Sequence, residues 1–188
     1  MIEVRIHGRG GQGNVVAAYV LATAAFTEGW HAQAFPAFGA ERRGAPVVAF
    51  TRLNDKPIRR RCQVASPDFL IIQDEALLHV PGITDGLKPG GRILLNSIHS
   101  SESFADTLKT DVVTLPATQL ANEHLGRPVP NTALLSAFIK LTGLLPQASL
   151  INALEQRFKG AILEKNKTLI EAAATDITAD LWREVADA

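Results

Sequence analysis

A glycine-rich stretch near the N-terminus is the first place where residue types and spacing suggest chemistry. The residues His7-Gly8-Arg9-Gly10-Gly11-Gln12-Gly13 contain the spacing G-x-G-x-x-G. Glycine adopts positive φ angles and lets a ligand approach the backbone closely. Where such a loop opens a helix, unpaired amides and a partial positive charge attract phosphate or carboxylate groups. The loop therefore predicts an anion site, and a purely structural tight turn is the alternative.

A second loop further along the chain gathers charged and aromatic side chains. Residues 35–46 include two phenylalanines, Glu41 and the adjacent pair Arg42 and Arg43, among glycines and prolines. A guanidinium group can donate two parallel hydrogen bonds to a phosphate. Loops that follow successive strands of a doubly wound sheet gather at one edge, so we expect this loop to face the glycine loop. The alternative is a solvated charge cluster over aromatic core residues.

A nicotinamide dinucleotide is one candidate ligand for the glycine loop. Sites of that class also use an acidic residue about 20 positions further on, which binds the ribose hydroxyls. Residues 32–35 contain no acidic side chain, and Glu41 comes late and lies beyond Pro36. The fingerprint is incomplete, which makes NAD the weaker ligand.

Regular elements on both sides of the glycine loop must hold it in place. Residues 2–6 alternate as a strand does, and residues 14–28 are typical of a helix, with Asn14 either as its cap or just inside it. Further strands are predicted at 32–35, 69–72, 92–96 and 112–115, with a hairpin formed by 47–53 and 57–61 around Asn54-Asp55. Helices are predicted at 75–80, 101–108, 131–142, 149–158, where Ser149 could be the cap, and 162–174.

The order of these elements predicts an α/β fold. A parallel crossover needs a long connection, so alternating strands and helices favour a mostly parallel sheet with helices on both faces. We expect one Rossmann-like domain over residues 1–188, with a hairpin near residues 47–61 and a helical C-terminal part.

Composition and charge exclude several classes of function. Lysine plus arginine and aspartate plus glutamate number 19 each, so no overall field draws the chain to nucleic acid or an anionic membrane. The single cysteine, Cys62, cannot form an internal disulfide, hold an iron–sulfur cluster unaided or complete a four-ligand zinc site. No run approaches the roughly 20 apolar residues of a membrane span. We therefore expect a cytoplasmic protein that binds neither nucleic acid nor membrane.

Several stretches of the chain together resemble one protein family. They are Ile6 to Gly13, Gln33-Ala34-Phe35-Pro36, Phe38-Gly39, Glu41-Arg42-Arg43-Gly44-Ala45-Pro46, Ala49-Phe50-Thr51-Arg52, Lys56-Pro57-Ile58-Arg59, Pro67-Asp68 and Val129-Pro130-Asn131-Thr132-Ala133. The combination closely resembles the gamma subunits of pyruvate and related 2-oxoacid:ferredoxin oxidoreductases, over essentially the whole chain. The motif Phe-Pro-x-Phe-Gly-x-Glu-Arg-Arg-Gly is more similar to pyruvate-type members than to 2-oxoglutarate-type members.

The resemblance implies an accessory subunit that has no activity alone. Enzymes of that family oxidatively decarboxylate a 2-oxoacid on thiamine diphosphate, pass electrons through iron–sulfur clusters to ferredoxin, and deliver the acyl group to coenzyme A. This chain lacks cysteine clusters and the Gly-Asp-Gly motif that holds thiamine diphosphate through Mg²⁺. The resemblance therefore implies alpha, beta and delta-type partner subunits that carry those cofactors, with ferredoxin as the acceptor of the complex.

For this chain the resemblance implies structural support and a share of the coenzyme A site. In fused relatives the similar domain lies near the coenzyme A nucleotide, and a basic pair occurs in the loop that matches Arg42 and Arg43. The candidate coenzyme A-binding residues are these two arginines with Gly10, Gly11, Gln12 and Gly13. No residue is assigned as catalytic or metal-binding.

Two functions of other classes stay open at this point. A free-standing NAD(P)-binding oxidoreductase is favoured by the glycine loop and opposed by the missing acidic residue. A non-enzymatic nucleotide-binding regulator would use the same loop. Co-purification with larger subunits that contain thiamine diphosphate and iron–sulfur clusters would distinguish the gamma-subunit interpretation from both.

Overall fold

Six strands form one sheet in the computed structural model, which describes residues 1–37 and 45–187. They are β1 (Ile2–Arg9), β2 (His31–Pro36), β3 (Pro46–Asn54), β4 (Phe69–Ile72), β5 (Arg92–Asn96) and β6 (Val112–Leu115). The order across the sheet is β2-β3-β1-β4-β5-β6. Strands β1, β4, β5 and β6 are mutually parallel, whereas β3 is antiparallel to both β1 and β2. The mostly parallel α/β sheet is thus confirmed.

Helices connect the strands and make up the C-terminal part of the chain, as predicted. They are α1 (Asn14–Thr27), α2 (Ala105–Leu108), α3 (Ala117–Leu125), α4 (Asn131–Thr142), α5 (Gln147–Glu155), α6 (Gly160–Thr175) and α7 (Arg183–Ala186). Two further segments, Glu75–His79 and Ser101–Phe104, are 3₁₀-helices. Ser149 does not cap α5, because it lies inside that helix and its hydroxyl donates to Glu28 at 2.5 Å.

The sheet is covered on both faces, by two separate apolar clusters. The larger cluster joins alternate residues of the central strands, such as Ile6 and Ile71, to the apolar faces of α1, α3, α4, α5 and α6. The smaller joins the opposite residues of β4 and β5, such as Ile72 and Ile93, to Leu77 and Phe104 of the two 3₁₀-helices. Because β4 is buried on both faces, its sequence Phe-Leu-Ile-Ile is wholly apolar.

The predicted hairpin near residues 47–61 is wrong in its second half. Residues 57–61 are not a strand, and β3 pairs instead with β2 on one side and β1 on the other. Both edges of β3 are therefore occupied, so no edge is left for a following strand. Residues 57–61 also begin with a proline, which cannot donate to a ladder, and continue into three exposed arginines.

A polar layer lies on the face of β1 and β3 away from the long helices. Glu3 of β1 and Arg52 of β3 form a buried ion pair at 2.7 Å. Next to it, Arg5 donates from Nε to His7 Nε2 at 2.9 Å and from Nη2 to the carbonyl of Asp85 at 2.7 Å. Burial, and next the charge of Arg5, lower the pKa of His7 to about 3. His7 is therefore neutral and holds Arg5, which is a structural role.

The C-terminal segment closes the core from the end of the sheet. Trp182 is 2% exposed, and its ring stacks on Phe69 of β4 with the ring centroids 6.1 Å apart. The backbone amide of Trp182 donates to the carbonyl of Leu141 at 2.8 Å, which fixes the segment to the end of α4. Residues after α6 are thus part of the core.

Candidate ligand site at the carboxyl edge of the sheet

The carboxyl ends of β1, β4, β5 and β6 form one edge of the sheet, and the candidate site lies there. From β1 the chain passes through α1 to β2, on one side of β1, whereas from β4 it proceeds to β5, on the other side. The connections that leave β1 and β4 therefore run in opposite directions. In open α/β sheets, ligands bind outside the carboxyl ends of the strands at such a switch point.

The glycine loop is a tight, internally bonded turn between β1 and α1. Gly11 and Gly13 have φ angles of +98° and +76°, which other residues adopt only with strain. The amide of Gln12 donates to the carbonyl of Arg9 at 3.1 Å, and the amide of Arg9 donates to the side chain of Gln12 at 2.7 Å. Part of the role of Gln12 is thus to shape the turn.

Helix α1 begins directly after this turn without a side-chain cap. Its N-cap position is Gly13, which has no side chain, and Asn14 donates from Nδ2 to the carbonyl of Val47 at 2.8 Å. Asn14 is therefore the first residue inside the helix and not its cap, the second of the two positions predicted for it. The first amides of a helix have no partner inside it, so those of α1 are left for another acceptor.

The end of the second loop lies beside the glycine loop. Ala37 donates to the carbonyl of Val48 at 2.7 Å, and the carbonyl of Ala45 accepts from the amide of Gly10 at 3.1 Å. The end of this loop is thus bonded to the glycine loop. The candidate residues Arg42 and Arg43 lie outside the described residues.

A crevice of about 310 Å³ opens next to the glycine loop, across the ends of β4, β5 and β6. Its lining consists of residues at or after the ends of the four parallel strands: Gln12, Gln73, Asp74, Glu75, Asn96, Ser97, Ile98, Pro116, Thr118 and Gln119. Gln12 belongs to both features, so the glycine loop and the crevice form one continuous site.

Side-chain hydrogen bonds hold the walls of the crevice. Asn96 donates from Nδ2 to the carbonyl of Gln73 at 2.8 Å and accepts at Oδ1 from the amide of Thr118 at 3.1 Å, which joins β4, β5 and α3. Asp74 accepts from Arg9 Nε at 2.6 Å and from the amide of Ala76 at 3.0 Å. Asp74 thereby caps the 3₁₀-helix and fixes it to the glycine loop.

Gln73 is the exception among these satisfied groups. The residue is 0% exposed, yet neither Nε2 nor Oε1 of its side chain has a hydrogen-bond partner in residues 1–37 and 45–187. Buried polar groups are nearly always hydrogen-bonded, so an unpaired carboxamide in the lining of a crevice calls for a missing partner.

Apart from Gln12, the sequence pattern did not single out the residues that line the crevice. Gln73, Asn96 and Thr118 are common polar residues whose spacing matches no motif. The available signal was their position, since each stands at or just after the end of a strand or at the start of the next helix. Within the described residues, no group of three or more His, Cys, Asp or Glu side chains could hold a metal ion. No helix there is long and apolar enough to cross a membrane.

The chain is thus an α/β domain with a crevice at the carboxyl edge of its sheet. The sequence model of the pyruvate ferredoxin/flavodoxin oxidoreductase family matches residues 3–175. The chain belongs to this family.

Similar proteins support the same assignment. Over 166 residues the chain is 51% identical to the pyruvate synthase subunit PorC of Methanothermobacter marburgensis, covering 88% of this chain and 92% of that protein. Over 176 residues it is 49% identical to the common gamma subunit of the pyruvate/ketoisovalerate oxidoreductases of Thermococcus kodakarensis, covering 92% and 95%.

Solved structures show the same fold. The crystal structure of pyruvate oxidoreductase subunit PORC from Thermotoga maritima is similar with a TM-score of 0.82 and 34% identity, covering 92% of this chain and 94% of that one. A 2-oxoglutarate:ferredoxin oxidoreductase from Magnetococcus marinus contains the fold at a TM-score of 0.76 and 21% identity. The match covers 95% of this chain but 32% of that much longer one, and at this identity it shows the fold alone.

Proposed function

We propose that the chain is the accessory gamma subunit of a multisubunit pyruvate:ferredoxin oxidoreductase, where it gives structural support and forms part of the coenzyme A site. Family membership and the names of the relatives support the subunit role. The complex converts pyruvate, coenzyme A and oxidised ferredoxin to acetyl-coenzyme A, CO₂ and reduced ferredoxin.

The hydrogen bond between Gly10 and Ala45 is the observation that carries the coenzyme A proposal. It joins the end of the second loop to the glycine loop, beside the uncapped N-terminus of α1. Arg43 precedes Ala45 by two residues, and two residues of chain span at most about 7 Å. Arg42 and Arg43 then supply cations near a helix terminus that already favours phosphate.

The division of labour between subunits follows from the donor groups in this chain. Coenzyme A supplies the thiol that accepts the acyl group, and this chain binds and orients its phosphorylated nucleotide end. A single cysteine does not fit an iron–sulfur cluster, which takes four ligands. The sequence also lacks the Gly-Asp-Gly motif for thiamine diphosphate and Mg²⁺. We therefore assign the clusters, thiamine diphosphate and Mg²⁺ to alpha, beta and delta-type partners, with ferredoxin as the electron acceptor of the complex.

The test replaces both arginines by alanine in the reconstituted complex. A charge-assisted hydrogen bond to phosphate contributes about 1.5 to 3 kcal/mol, so the KM for coenzyme A is expected to rise roughly tenfold to a hundredfold. Pyruvate decarboxylation and transfer of the first electron should continue at the parent rate, because neither step uses coenzyme A.

A matched control uses another arginine pair. Arg60 and Arg61 are exposed and lie in the segment after β3, so their replacement by alanine should leave the KM for coenzyme A unchanged. An unaltered coenzyme A dependence in the intact Arg42→Ala/Arg43→Ala complex would contradict the site. Pyruvate-dependent reduction of a viologen dye by the purified chain alone would contradict the accessory role.

A further inference from the structure

We propose that the crevice at the ends of β4, β5 and β6 is a nucleobase site, in which the buried carboxamide of Gln73 pairs with the edge of an adenine ring. The choice of coenzyme A as the source of that adenine rests on the function proposed above. The adenine chemistry itself rests on the crevice and its lining.

The unpaired side chain of Gln73 is the first argument. The residue directly follows β4, and its amide donates to the carbonyl of His7 at 2.8 Å, which extends the pairing of β4 with β1. The residue lines the crevice, its side chain is buried in the ligand-free chain, and the donor group and acceptor atom of the carboxamide have no partners in the described part of the chain. Pairing with a base then includes a turn of this carboxamide toward the crevice. A ligand that meets both atoms gains hydrogen bonds that the protein alone does not make.

The chemistry of a carboxamide limits what can meet both atoms at once. The partner must present a donor and an acceptor side by side, and adenine does so with its N6 amino group and N7, the pairing that glutamine makes with adenine in nucleic acids. A phosphate offers acceptors alone. A trans amide places its N–H and C=O on opposite edges and can satisfy only one of the two atoms.

Charge and size separate the base from its phosphates. Among residues 1–37 and 45–187, the lining contains the carboxylates of Asp74 and Glu75 and no lysine or arginine, which disfavours a phosphate inside the crevice and tolerates a neutral ring. Its volume of about 310 Å³ is at the small end for ligand pockets, enough for a fragment of a cofactor. Gln12 connects the crevice to the glycine loop, where the amides favour phosphate.

The first experiment varies the base. The full chain, and separately the assembled complex, are titrated by calorimetry with adenosine 3',5'-bisphosphate and with the purine riboside analogue that lacks the N6 amino group. Loss of one neutral hydrogen bond predicts roughly threefold to tenfold weaker binding of the analogue. AMP and NAD are titrated in the same way. Tighter binding of adenosine 3',5'-bisphosphate than of AMP or NAD identifies coenzyme A as the source of the adenine.

The second experiment changes Gln73, the residue proposed to contact the base. Gln73→Met keeps the length of the side chain and removes both polar atoms, so it should abolish the preference for adenine over the analogue. It should also raise the Tm of the ligand-free chain, because an unpaired buried amide is lost. Gln156→Met, at an exposed glutamine after α5, is the control and should change neither property.

The outcomes separate this inference from the proposed function. Equal affinity for adenine and analogue in the parent chain and complex, or an adenine preference that survives Gln73→Met, overturns the nucleobase site even when the complex uses coenzyme A. If Gln73→Met destabilises the chain, the proposal is still tested by comparing the binding of adenosine 3',5'-bisphosphate and of the purine riboside analogue to the parent protein. Adenine preference in a chain that joins no 2-oxoacid oxidoreductase supports the crevice and contradicts the proposed function.

Discussion

His7 shows how one residue beside the glycine loop serves the structure. It is buried on the polar face of β1 and accepts a hydrogen bond from Arg5 at Nε2, which only the neutral ring with its proton on Nδ1 can do. The charged ring could not accept this bond and would face Arg5 at close range. Protonation of His7 therefore opposes the folded state.

Because of His7, the folded chain should become less stable as the pH is lowered. Burial lowers the pKa of His7 to about 3, whereas the unfolded chain binds the proton near pH 6.5. Between these two pH values the unfolded state binds more protons than the folded state. The contribution of His7 to the free energy of unfolding is therefore fully present above pH 6.5 and is lost as the pH falls toward 3. By pH 4 the loss from this one group is roughly 3 kcal/mol.

Urea unfolding at pH 7 and pH 4 measures this loss. His7→Gln keeps an acceptor for Arg5 without a titrating ring, so it should unfold with a smaller difference between the two pH values. His31→Gln, at an exposed histidine of β2, should behave as the parent does. Identical pH dependence in His7→Gln and the parent would show that His7 is not buried in the neutral form.

At the scale of elements, the start of α1 is fixed to the start of α4 through one glycine. Asn131 of α4 donates from Nδ2 to the carbonyl of Gly13 at 3.2 Å, and a Cβ on Gly13 would meet that nitrogen at 2.6 Å. Within the part of the chain that the structure describes, a Cβ on Gly11 would meet nothing within 4 Å. Both glycines have positive φ, so the two positions differ mainly in this contact.

Substitution of each glycine by alanine should separate the backbone strain of a positive φ from the contact with Asn131. Gly11→Ala carries backbone strain alone, about 1 to 2 kcal/mol. Gly13→Ala carries similar strain and also displaces Asn131, which adds about 1 kcal/mol for the lost hydrogen bond. Thermal unfolding of the two variants measures the difference, and equal Tm values would contradict the coupling of α1 to α4.

Local patterns predicted most elements, and non-local pairing decided the rest. The apolar runs at β4, β5 and β6 and the alanine-rich helix α1 were predicted closely because their periodicity is contained in the segment itself. The hairpin prediction was wrong because β3 is flanked by strands that precede it in sequence, which its own residues do not encode.

The candidate site was also predictable only in part, because only some of its residues belong to a local sequence motif. The glycine loop is a motif, and the structure places it at the carboxyl edge, but ligand binding by Gly10 to Gly13 stays a prediction. So does the role of Arg42 and Arg43, which fall outside the described residues. Gln73 could not be found from sequence, because its chemistry arises from the absence of a partner and not from its residue type.

At the scale of the whole molecule, the C-terminal segment completes the core. Trp182 stacks on Phe69 of the central strand β4, and the preceding Leu181 is 51% exposed. Trp182→Ala should therefore lower the free energy of unfolding by about 3 to 5 kcal/mol. Leu181→Ala should leave it within about 0.5 kcal/mol of the parent value. Denaturant unfolding of both variants tests this, and similar losses would mean that the segment is not docked in solution.

The position of β1 between β3 and β4 also has a consequence for the order in which the chain folds during synthesis. All pairings among β1, β2 and β3, and the packing of α1 on β2 and β3, join residues within the first 54. This unit can form once its 54 residues have left the ribosome, since both partners of each of these contacts are then already made. Strand β1 still has a free edge until β4 arrives, and α1 lacks its neighbours α4 and α5 until residue 155 is made. A nascent chain paused between these points exposes both an open strand edge and the apolar side of α1, the features that chaperones bind.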